Sequence, residues 1–316
     1  MFCLNLKSSD PFFNLAIEEI LLKDSEEEYF VLCVNSPSVI IGKHQSGHRE
    51  VNTRFVTQNG IPVIRRISGG GTVFHDYGNL NFSFIRQSES GKQVDFRKYT
   101  RPVIDFLKSL GVDARFEDKN DLKVDAYKVS GNAEHIYHNR VLHHGTLLFR
   151  SSLEMLRNSL RKDTSCYTSR AVSSNPSSVM NLYEMLNCIQ DMNEFRTLMV
   201  SYFQKNYPDI VPYELKPSEK EKAESLALSK YRSWEWNWAY GPEYSFRNSF
   251  KLSGKDHTCS LFVQDGIIME CDIAGSNRMR DISKKLHGCR HMVDNLSEAL
   301  IKEKIFLTEE EVYNFF

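Results

Sequence analysis

The strand-like segments of this chain come in adjacent pairs, and this pairing limits the possible folds more than any other feature. Short runs rich in apolar and β-branched residues predict strands at residues 29–34 and 38–41, at 72–75 and 80–85, and at several stretches between 114 and 150. Neighbouring parallel strands need a long crossover, usually a helix, whereas antiparallel neighbours need only a turn. The pattern therefore predicts an α+β fold rather than a doubly wound one.

Helical segments flank these strands. Asp10 followed by Pro11 is typical of a helix N-cap and first helical position. Apolar residues spaced three and four apart predict a helix over residues 95–110, and a more polar helix is expected over 49–58 with a left-handed cap at Gly60. Residues 153–231 are expected to be mainly helical.

The predicted secondary structure changes from mainly helical to strand-like after the tryptophan-rich segment at 234–238. Gly241-Pro242 marks this change. Beyond this point the sequence predicts a strand, a hairpin that turns at Asp265-Gly266, and a helical tail. A chain of 316 residues also exceeds what one core usually supports. We predict a large domain at residues 1–243 and a small α+β domain at residues 244–316.

Composition limits which binding partners and which cellular compartment we expect for this protein. The 40 basic and 41 acidic residues nearly cancel, so no overall field favours nucleic acid or a membrane surface. No apolar run approaches the ~20 residues needed to cross a bilayer, and the first residues carry no secretory signal pattern. Seven cysteines without a CxxC pair favour free thiols over disulfides. We expect a soluble, cytoplasmic protein.

The strongest candidate site is the segment from Arg65 to Asp76, which contains the triple glycine Gly69–Gly71. Successive glycines let backbone N–H groups converge on an anion, and Arg65 and Arg66 supply permanent charge. A nucleotide phosphate or a carboxylate fits this description. A glycine-rich hairpin corner with two solvated arginines fits it equally well. The segment matches neither a Walker A motif nor a Rossmann fingerprint.

A second candidate segment contains Lys128, followed by Ser130-Gly131, where small residues let a ligand approach closely. A solvated surface lysine is the ordinary alternative. Asp121, a few residues earlier, could hold Mg²⁺, although a solvated loop carboxylate explains it as well.

Histidines form a third group of candidates. His143 and His144 are adjacent on a predicted strand, so they face opposite ways and only one of them can serve a given site. His44 with His48, and His287 with His291, have helical spacing but lack further ligands. We therefore expect no zinc site.

Taken together and in this order, the segments resemble the lipoate-protein ligase A family, within the superfamily of biotin and lipoate ligases and octanoyltransferases. The matching segments are residues 14–19, 40–42, 65–76, 120–122, 128–133, 143–148, 234–237 and 286–289. The resemblance implies a large domain of the biotin/lipoate-ligase type, with a mixed β-sheet flanked by helices, and a small C-terminal accessory domain.

The resemblance also implies the reaction. A ligase of this family activates lipoate with ATP to lipoyl-AMP, releases pyrophosphate, and transfers the acyl group to a lysine of a carrier domain. Mg²⁺ would accompany ATP, and the carriers would be lipoyl domains of 2-oxoacid dehydrogenase E2 subunits and the glycine cleavage H protein. We expect a monomer. The chemistry is plausible because a fixed ammonium offsets repulsion between the carboxylate and the phosphates.

Carried onto this sequence, the resemblance makes Lys128 the catalytic lysine. The loop that contacts lipoate and phosphate would be formed by Arg66, Ser68, Gly69, Gly70 and Gly71. The nucleotide would border Gly71, Thr72, Val73 and Phe74, with Asn120 and Asp121 nearby, and the acyl pocket would be lined by Ala133 and His144.

The sequence departs from the family pattern at one position. Ser178 stands in Ser177-Ser178-Val179, where the family commonly has arginine. The lost phosphate contact would weaken nucleotide handling unless a neighbour such as Arg170 replaces it.

Two other functions are compatible with parts of this pattern. An octanoyltransferase would share the lysine but form a thioester on a cysteine, for which Cys166 is the candidate, and would need no ATP. A non-catalytic protein would bind lipoate or a lipoyl domain without turnover. The accessory domain favours the ligase over the transferase.

Overall fold

The computed structural model describes residues 1–88, 94–117, 119–252, 254–275 and 277–316. The strands are β1 (Phe2–Asn5), β2 (Tyr29–Val34), β3 (Ser38–Ile41), β4 (Val63–Arg65), β5 (Val73–His75), β6 (Asn79–Gln87), β7 (Arg115–Glu117), β8 (Asp121–Val124), β9 (Tyr127–Tyr137), β10 (Arg140–Leu148), β11 (Tyr167–Ser169), β12 (Val211–Tyr213), β13 (Tyr244–Leu252), β14 (Lys255–Gln264) and β15 (Ile267–Ala274).

The α-helices are α1 (Pro11–Lys23), α2 (Gly47–Glu50), α3 (Thr53–Gln58), α4 (Phe96–Ser109), α5 (Leu153–Ser159), α6 (Met192–Asn206), α7 (Pro217–Leu226), α8 (Asn277–Leu286), α9 (Val293–Lys302) and α10 (Glu309–Val312). Short 3₁₀ turns occur at Leu182–Glu184 and Tyr313–Phe315, and π-helical turns at Ala227–Tyr231 and Glu235–Ala239. Within the described residues, no helix is both long enough and apolar enough to span a bilayer.

A mixed sheet of eight strands, in the order β12-β1-β2-β6-β10-β9-β8-β7, is the largest sheet of the described residues. β1 runs parallel to β2 and β12, and every other neighbouring pair is antiparallel. The antiparallel pairs β8-β9 and β9-β10 are joined by short turns, as predicted. The expected pairing of residues 29–34 with 38–41 and of 72–75 with 80–85 is wrong, because β2 and β6 belong to this sheet whereas β3 and β5 belong to a smaller one. The predicted α+β class, with a mixed sheet flanked by helices, is confirmed.

Helices cover both faces of this sheet. Along β2, Phe30 and Leu32 point into an apolar cluster shared with α4 and α6, whereas Val31 and Cys33 point into a second cluster shared with α1 and α7. This alternation follows from the two-residue period of a strand. Both faces of the strand are therefore buried, so the central strands lie inside the protein.

A small three-stranded sheet, in the order β4-β3-β5, holds the glycine segment. β3 runs parallel to β4 and antiparallel to β5, with Ile41 opposite Arg65 and Ile40 opposite Val73. β4 ends at Arg65 and β5 begins at Val73, so the residues between them form a loop whose two ends are fixed by this sheet. β4 has only three residues because the chain leaves the sheet at this loop.

The C-terminal part contains a four-stranded sheet, in the order β11-β13-β14-β15, packed against α8 and α9. The predicted hairpin is present, and Asp265 and Gly266 both have positive φ in its turn. β11 comes from the preceding part of the chain and pairs with β13. The division of the chain at residue 243 stays a prediction, and the structure adds that the small sheet includes residues on both sides of it.

The expected continuous helix over 49–58 is wrong. The chain forms two short helices, α2 and α3, because Val51 pairs with Leu160 in an isolated β-bridge and leaves the helical path. Asn52 then caps α3 by accepting a hydrogen bond from the N–H of Phe55. Residues 153–231 are also less helical than expected, since they include β11 and β12.

Candidate active site

Lys128 lies near the start of β9, with its ammonium Nζ 2.8 Å from Oδ1 of Asp121 on β8. Its side chain is 22% exposed and that of Asp121 is 12% exposed, so the pair is largely shielded but open on one side. A Cβ atom at position 131 would lie 3.0 Å from Nζ, which shows that the ammonium sits directly over Gly131. A glycine at this position therefore leaves the space that the lysine occupies.

The backbone of Lys128 is held by the segment that carries Ser178. The N–H of Lys128 donates to the carbonyl of Ser178 at 2.8 Å, and the N–H of Met180 donates to the carbonyl of Lys128 at 3.1 Å. The Ser178 side chain is exposed. The position at which the sequence departs from the family pattern thus lies directly beside the candidate catalytic lysine.

The glycine loop packs closely against two other backbones. Gly70 has φ +85°, which favours glycine, and a Cβ atom there would lie 3.7 Å from Cβ of Ala133 on β9. A Cβ atom at Gly42 would lie 2.1 Å from the carbonyl oxygen of Gly70, so no side chain fits at position 42. Gly69 has open space around the corresponding position. The loop is thus fixed on one side and accessible on the other.

Arg66 shapes this loop from within. Its guanidinium donates to the carbonyls of Gly69 at 2.6 Å and Gly71 at 2.8 Å, and to Oγ of Ser68 at 2.9 Å. Burial lowers the pKa of Arg66 to about 10, while Glu18 acts in the opposite direction, so the group remains charged at neutral pH. Arg66 therefore brings a buried positive charge under the loop and fixes the direction of its carbonyls.

The expectation that Arg65 offers its charge to a bound anion is wrong. Arg65 is fully buried, and its guanidinium donates to backbone carbonyls on both sides of the small sheet. The acceptors are the carbonyl oxygens of Gly42, Lys43, Gln45, Trp236 and Asn237. Arg65 is a structural residue that ties the tryptophan-rich segment to β3 and β4.

A chain of hydrogen bonds runs from the loop to α1. Oγ of Ser68 is 2.6 Å from Nε2 of His144, and Nδ1 of His144 is 3.0 Å from Oε2 of Glu18. The other oxygen of Glu18 accepts from the hydroxyl of Ser83. His144 lies opposite Ala133 in the β9-β10 register. Ser68, Ala133 and His144 therefore share one face of the sheet, as an acyl pocket would require.

Glu18 was missed by the sequence reasoning, although a signal existed. It is a carboxylate within the largely apolar helix α1, and it is 7% exposed. Buried charges need partners, so such a residue marks a polar site.

His143 points away from the glycine loop. Its ring is buried among aromatic residues, with Nδ1 2.8 Å from Glu134. The two adjacent histidines therefore face opposite sides of the sheet, as expected, and the site role of His144 stays a prediction.

The remaining site candidates differ in burial and in their hydrogen-bond partners. Asn120 and Asn132 bond each other reciprocally through side-chain amides and backbone carbonyls, which joins β8 to β9 next to Asp121. The Phe74 ring is buried in the core of the small sheet, so Phe74 could border a nucleotide only through its backbone, and this position stays a prediction. Val73 is partly buried against the α1 side of the core.

A second polar cluster, also missed by the sequence reasoning, surrounds Thr72. Its N–H donates to Oγ of Ser174 at 2.9 Å, and its hydroxyl donates to Oε1 of Gln45 at 2.9 Å. Ser174 in turn donates to the buried carboxylate of Glu50. Small polar residues without a periodic pattern gave no signal for this cluster.

Neither the histidine pairs nor Cys166 adds a competing site. Among the described residues, no three His, Cys, Asp or Glu side chains are grouped so that they could hold a metal ion. His48 instead packs against His291, with ring centroids 4.7 Å apart, and stacks on Trp238. Cys166 is partly buried against the core of the C-terminal sheet.

Comparison with known proteins identifies the family. Residues 10–204 match the lipoyl protein ligase A/B catalytic domain. Lipoate-protein ligase 1 of Staphylococcus aureus is 35% identical over 100% of this chain and 95% of its own length. The chain belongs to the lipoate-protein ligase family. The resemblance and the enzyme class inferred from the sequence are thereby confirmed.

Other members of the lipoate-protein ligase family agree. The ligase LplJ of Bacillus subtilis is 38% identical over 87% of this chain and 84% of its own length. A putative lipoate-protein ligase from T. acidophilum, solved with bound lipoic acid, is 26% identical with a TM-score of 0.63, covering 74% of this chain and 98% of its own.

Two further solved structures add ligand and partner. A lipoate-protein ligase A bound with ATP is 26% identical with a TM-score of 0.64, covering 74% of this chain and 97% of its own. A bipartite ligase from Thermoplasma acidophilum, described with its E2 lipoyl domain, is 27% identical with a TM-score of 0.62. The match covers 75% of this chain and 94% of the archaeal chain.

Proposed function

We propose that this ligase activates lipoate with ATP to form lipoyl-AMP and then transfers the lipoyl group to a lysine of a lipoyl domain. The observation that carries the proposal is the position of the Lys128 ammonium, over Gly131 and at one end of the face that bears Ala133 and His144. The glycine loop meets this face at Gly70. A carboxylate and a phosphate brought to this end would both lie near one fixed cation.

In the first step, a lipoate carboxylate oxygen attacks the α-phosphorus of ATP, and the bond to the β-phosphate oxygen breaks as pyrophosphate leaves. Both reactants are anions, so a cation between them offsets their repulsion and stabilises charge on the oxygens of the transferring group. Lys128 is suited to this role because Asp121 and the strand hold its side chain in place. The open side of Gly69 leaves room for the phosphates.

In the second step, the neutral amine of the carrier lysine attacks the carbonyl carbon of lipoyl-AMP. The bond between the acyl group and the phosphate breaks, AMP leaves, and the amine proton passes to water. Lys128 can stabilise the carbonyl oxygen and the departing phosphate as negative charge develops. Lipoyl-AMP is prone to hydrolysis, so a site that excludes water favours transfer.

Magnesium fits this site as a companion of ATP. Asp121 is a carboxylate at the same end of the sheet face as Lys128, and the two side chains form an ion pair in the structure. Mg²⁺ usually keeps several waters and binds through one or two carboxylates and substrate phosphates. The described residues offer no larger group of ligands. We therefore propose that Asp121 is the protein ligand and that Mg²⁺ would reduce the charge on the phosphates.

The carrier in this proposal is a lipoyl domain, of an E2 subunit or of the glycine cleavage H protein. Support comes from the archaeal relative described with its E2 lipoyl domain. The expected monomeric state remains a prediction, which the mass measured by light scattering at working concentration would check.

The test is lipoylation of a purified lipoyl domain, followed by mass shift and by pyrophosphate release, with and without ATP. We expect Lys128→Met to lower the rate at least about a hundredfold, because it removes the charge that stabilises the transition state. Lys222→Ala, which changes an exposed surface lysine, is the matched control and should retain the rate. Equal activity of Lys128→Met and the parent would overturn the mechanism.

The same assay separates the two other functions. An octanoyltransferase would modify the carrier without ATP and would lose activity in Cys166→Ala. The ligase keeps its activity in that variant, since Cys166 packs against the C-terminal core. A protein that binds lipoate and ATP but releases no pyrophosphate would be a binding protein.

A further inference from the structure

The segment from Val172 to Met180 connects two parts of the site that are far apart in the sequence. At one end it contacts the glycine loop through Ser174, and at the other it pairs with the backbone of Lys128. Between these two contacts the chain has no helix, and Val179 forms only an isolated bridge with Lys128. The position of this segment therefore depends on a few hydrogen bonds.

Most of these bonds meet at the Ser174 hydroxyl. Its Oγ accepts from the N–H of Thr72 at 2.9 Å and from Nε2 of Gln45 at 3.0 Å, and it donates to Oε2 of Glu50. The same carboxylate oxygen accepts from the N–H of Ser174 at 3.2 Å. One hydroxyl thus uses its proton and two acceptor positions at once.

The anchors of this cluster are buried. Gln45 is fully buried, and its Oε1 accepts from the N–H of Gly42 at 2.8 Å as well as from Thr72. Glu50 is 6% exposed. Gln45 therefore bonds Gly42, Thr72 and Ser174 together, which makes the cluster a clamp on one end of the glycine loop.

We propose that Ser174 is a positioning residue for the nucleotide half of the reaction. It holds the Val172–Met180 segment against the glycine loop, with Gln45 and Glu50 as its anchors, so that Lys128 and the loop keep one relative position. The inference deepens the proposed function and rests on it for the identity of the nucleotide. The acyl half depends on a separate network of Ser68, His144 and Glu18.

This separation predicts an unequal effect on the two substrates. Ser174→Ala leaves the Thr72 N–H, the Gln45 amide and the Glu50 carboxylate without their shared partner, and charged or buried groups lose most from this. We expect the KM for ATP to rise roughly tenfold, the size that follows from one hydrogen bond to a charged group. The KM for lipoate should change less than about twofold, because the acyl network is intact.

Glu50 provides the conservative test. Glu50→Gln retains an oxygen that accepts from the hydroxyl and N–H of Ser174, so it should keep the KM for ATP close to that of the parent. Glu50→Ala removes only the bond between Ser174 and Glu50, so it should raise the KM for ATP by no more than Ser174→Ala does, and the double variant should be no worse than Ser174→Ala. The exposed neighbour change Ser173→Ala is the matched control.

A measurement without turnover decides whether the clamp exists. Hydrogen exchange, followed by mass spectrometry on peptides that contain Thr72 and Met180, should be at least about tenfold faster in Ser174→Ala than in Ser173→Ala, since the first opens this contact. Unchanged exchange, or an equal rise of the KM for both substrates, would overturn the inference. A parent protein without ATP-dependent activity would overturn the proposed function, while exchange would still test the clamp.

Discussion

Close backbone approach, rather than flexibility, is what the glycine at position 42 provides. A Cβ atom there would lie 2.1 Å from the carbonyl oxygen of Gly70, far inside contact distance. That carbonyl cannot easily move, because Arg66 binds the carbonyls on either side of it, at Gly69 and Gly71. A single methyl group at position 42 would thus act on the whole loop.

We predict that Gly42→Ala lowers the free energy of unfolding by about 1–3 kcal/mol, as is usual for overpacking, and lowers ligase activity further by displacing the loop. Gly69→Ala is the control for stability, because its Cβ would meet open space. Chemical denaturation of both variants measures the difference. Equal unfolding midpoints would mean that the loop shifts without strain.

Individual residues also show where sequence reasoning reaches its limit. Lys128 and the glycine loop could be identified because their residue types and order are distinctive, and the structure brings them to one face. Arg65 could not be separated from Arg66, since both have the same chemistry, both are buried, and only the fold decides which of them binds the glycine loop. Ser174 lies in a run of serines whose partners are more than 100 positions away in the chain.

At the scale of elements, the sequence predicted those helices whose start and stop signals are residues at their own ends. Helix α4 spans Phe96–Ser109 against an expected 95–110, and Gly111 follows with φ +86°. The expected helix over 49–58 failed because a distant residue, Leu160, pairs with Val51. Pairing between residues that are distant in the sequence cannot be detected from the local sequence pattern.

The contact between α2 and the C-terminal elements contains two buried histidines. Burial lowers the pKa of His291 to about 4, although a hydrogen bond to the carbonyl of Phe315 opposes this, and Arg161 lowers it further. Burial also holds the pKa of His48 well below its ordinary value, with further lowering by His291. Both rings are therefore neutral in the folded protein at neutral pH.

This neutrality predicts a loss of stability in mild acid. Between about pH 6.5 and 4 the unfolded chain takes up protons at these histidines that the folded chain excludes, so the free energy of unfolding falls as the pH falls. His291→Gln keeps polar partners for Tyr244 and Phe315 but does not titrate. We expect the parent to lose about 3 kcal/mol more than this variant between pH 6.5 and 4.

Denaturant unfolding at several pH values would measure this difference, and carboxylates that titrate in the same range cancel in the comparison. Parallel curves for the parent and His291→Gln would contradict the prediction.

For the whole molecule, the small C-terminal sheet is completed by β11, a strand from the preceding part of the chain. Tyr167 on β11 is buried in the C-terminal apolar cluster, and β11 covers the edge of β13. An uncovered strand edge promotes association and loses backbone hydrogen bonds. We predict that a fragment of residues 244–316 shows no cooperative unfolding transition, whereas the full chain does. A fragment with a sharp thermal transition and a dispersed amide spectrum would show that this module folds alone.

The arrangement of β11 also sets a limit on how far the two parts of the protein can separate. Only five residue steps lie between Ser169, paired with β13, and Ser174, bound to Glu50. A fully extended chain covers that interval in ~17 Å, which is the largest distance that can separate these two residues. A larger separation of the two parts must break the contact at one end, either by detaching β11 from β13 or by releasing Ser174 from Glu50.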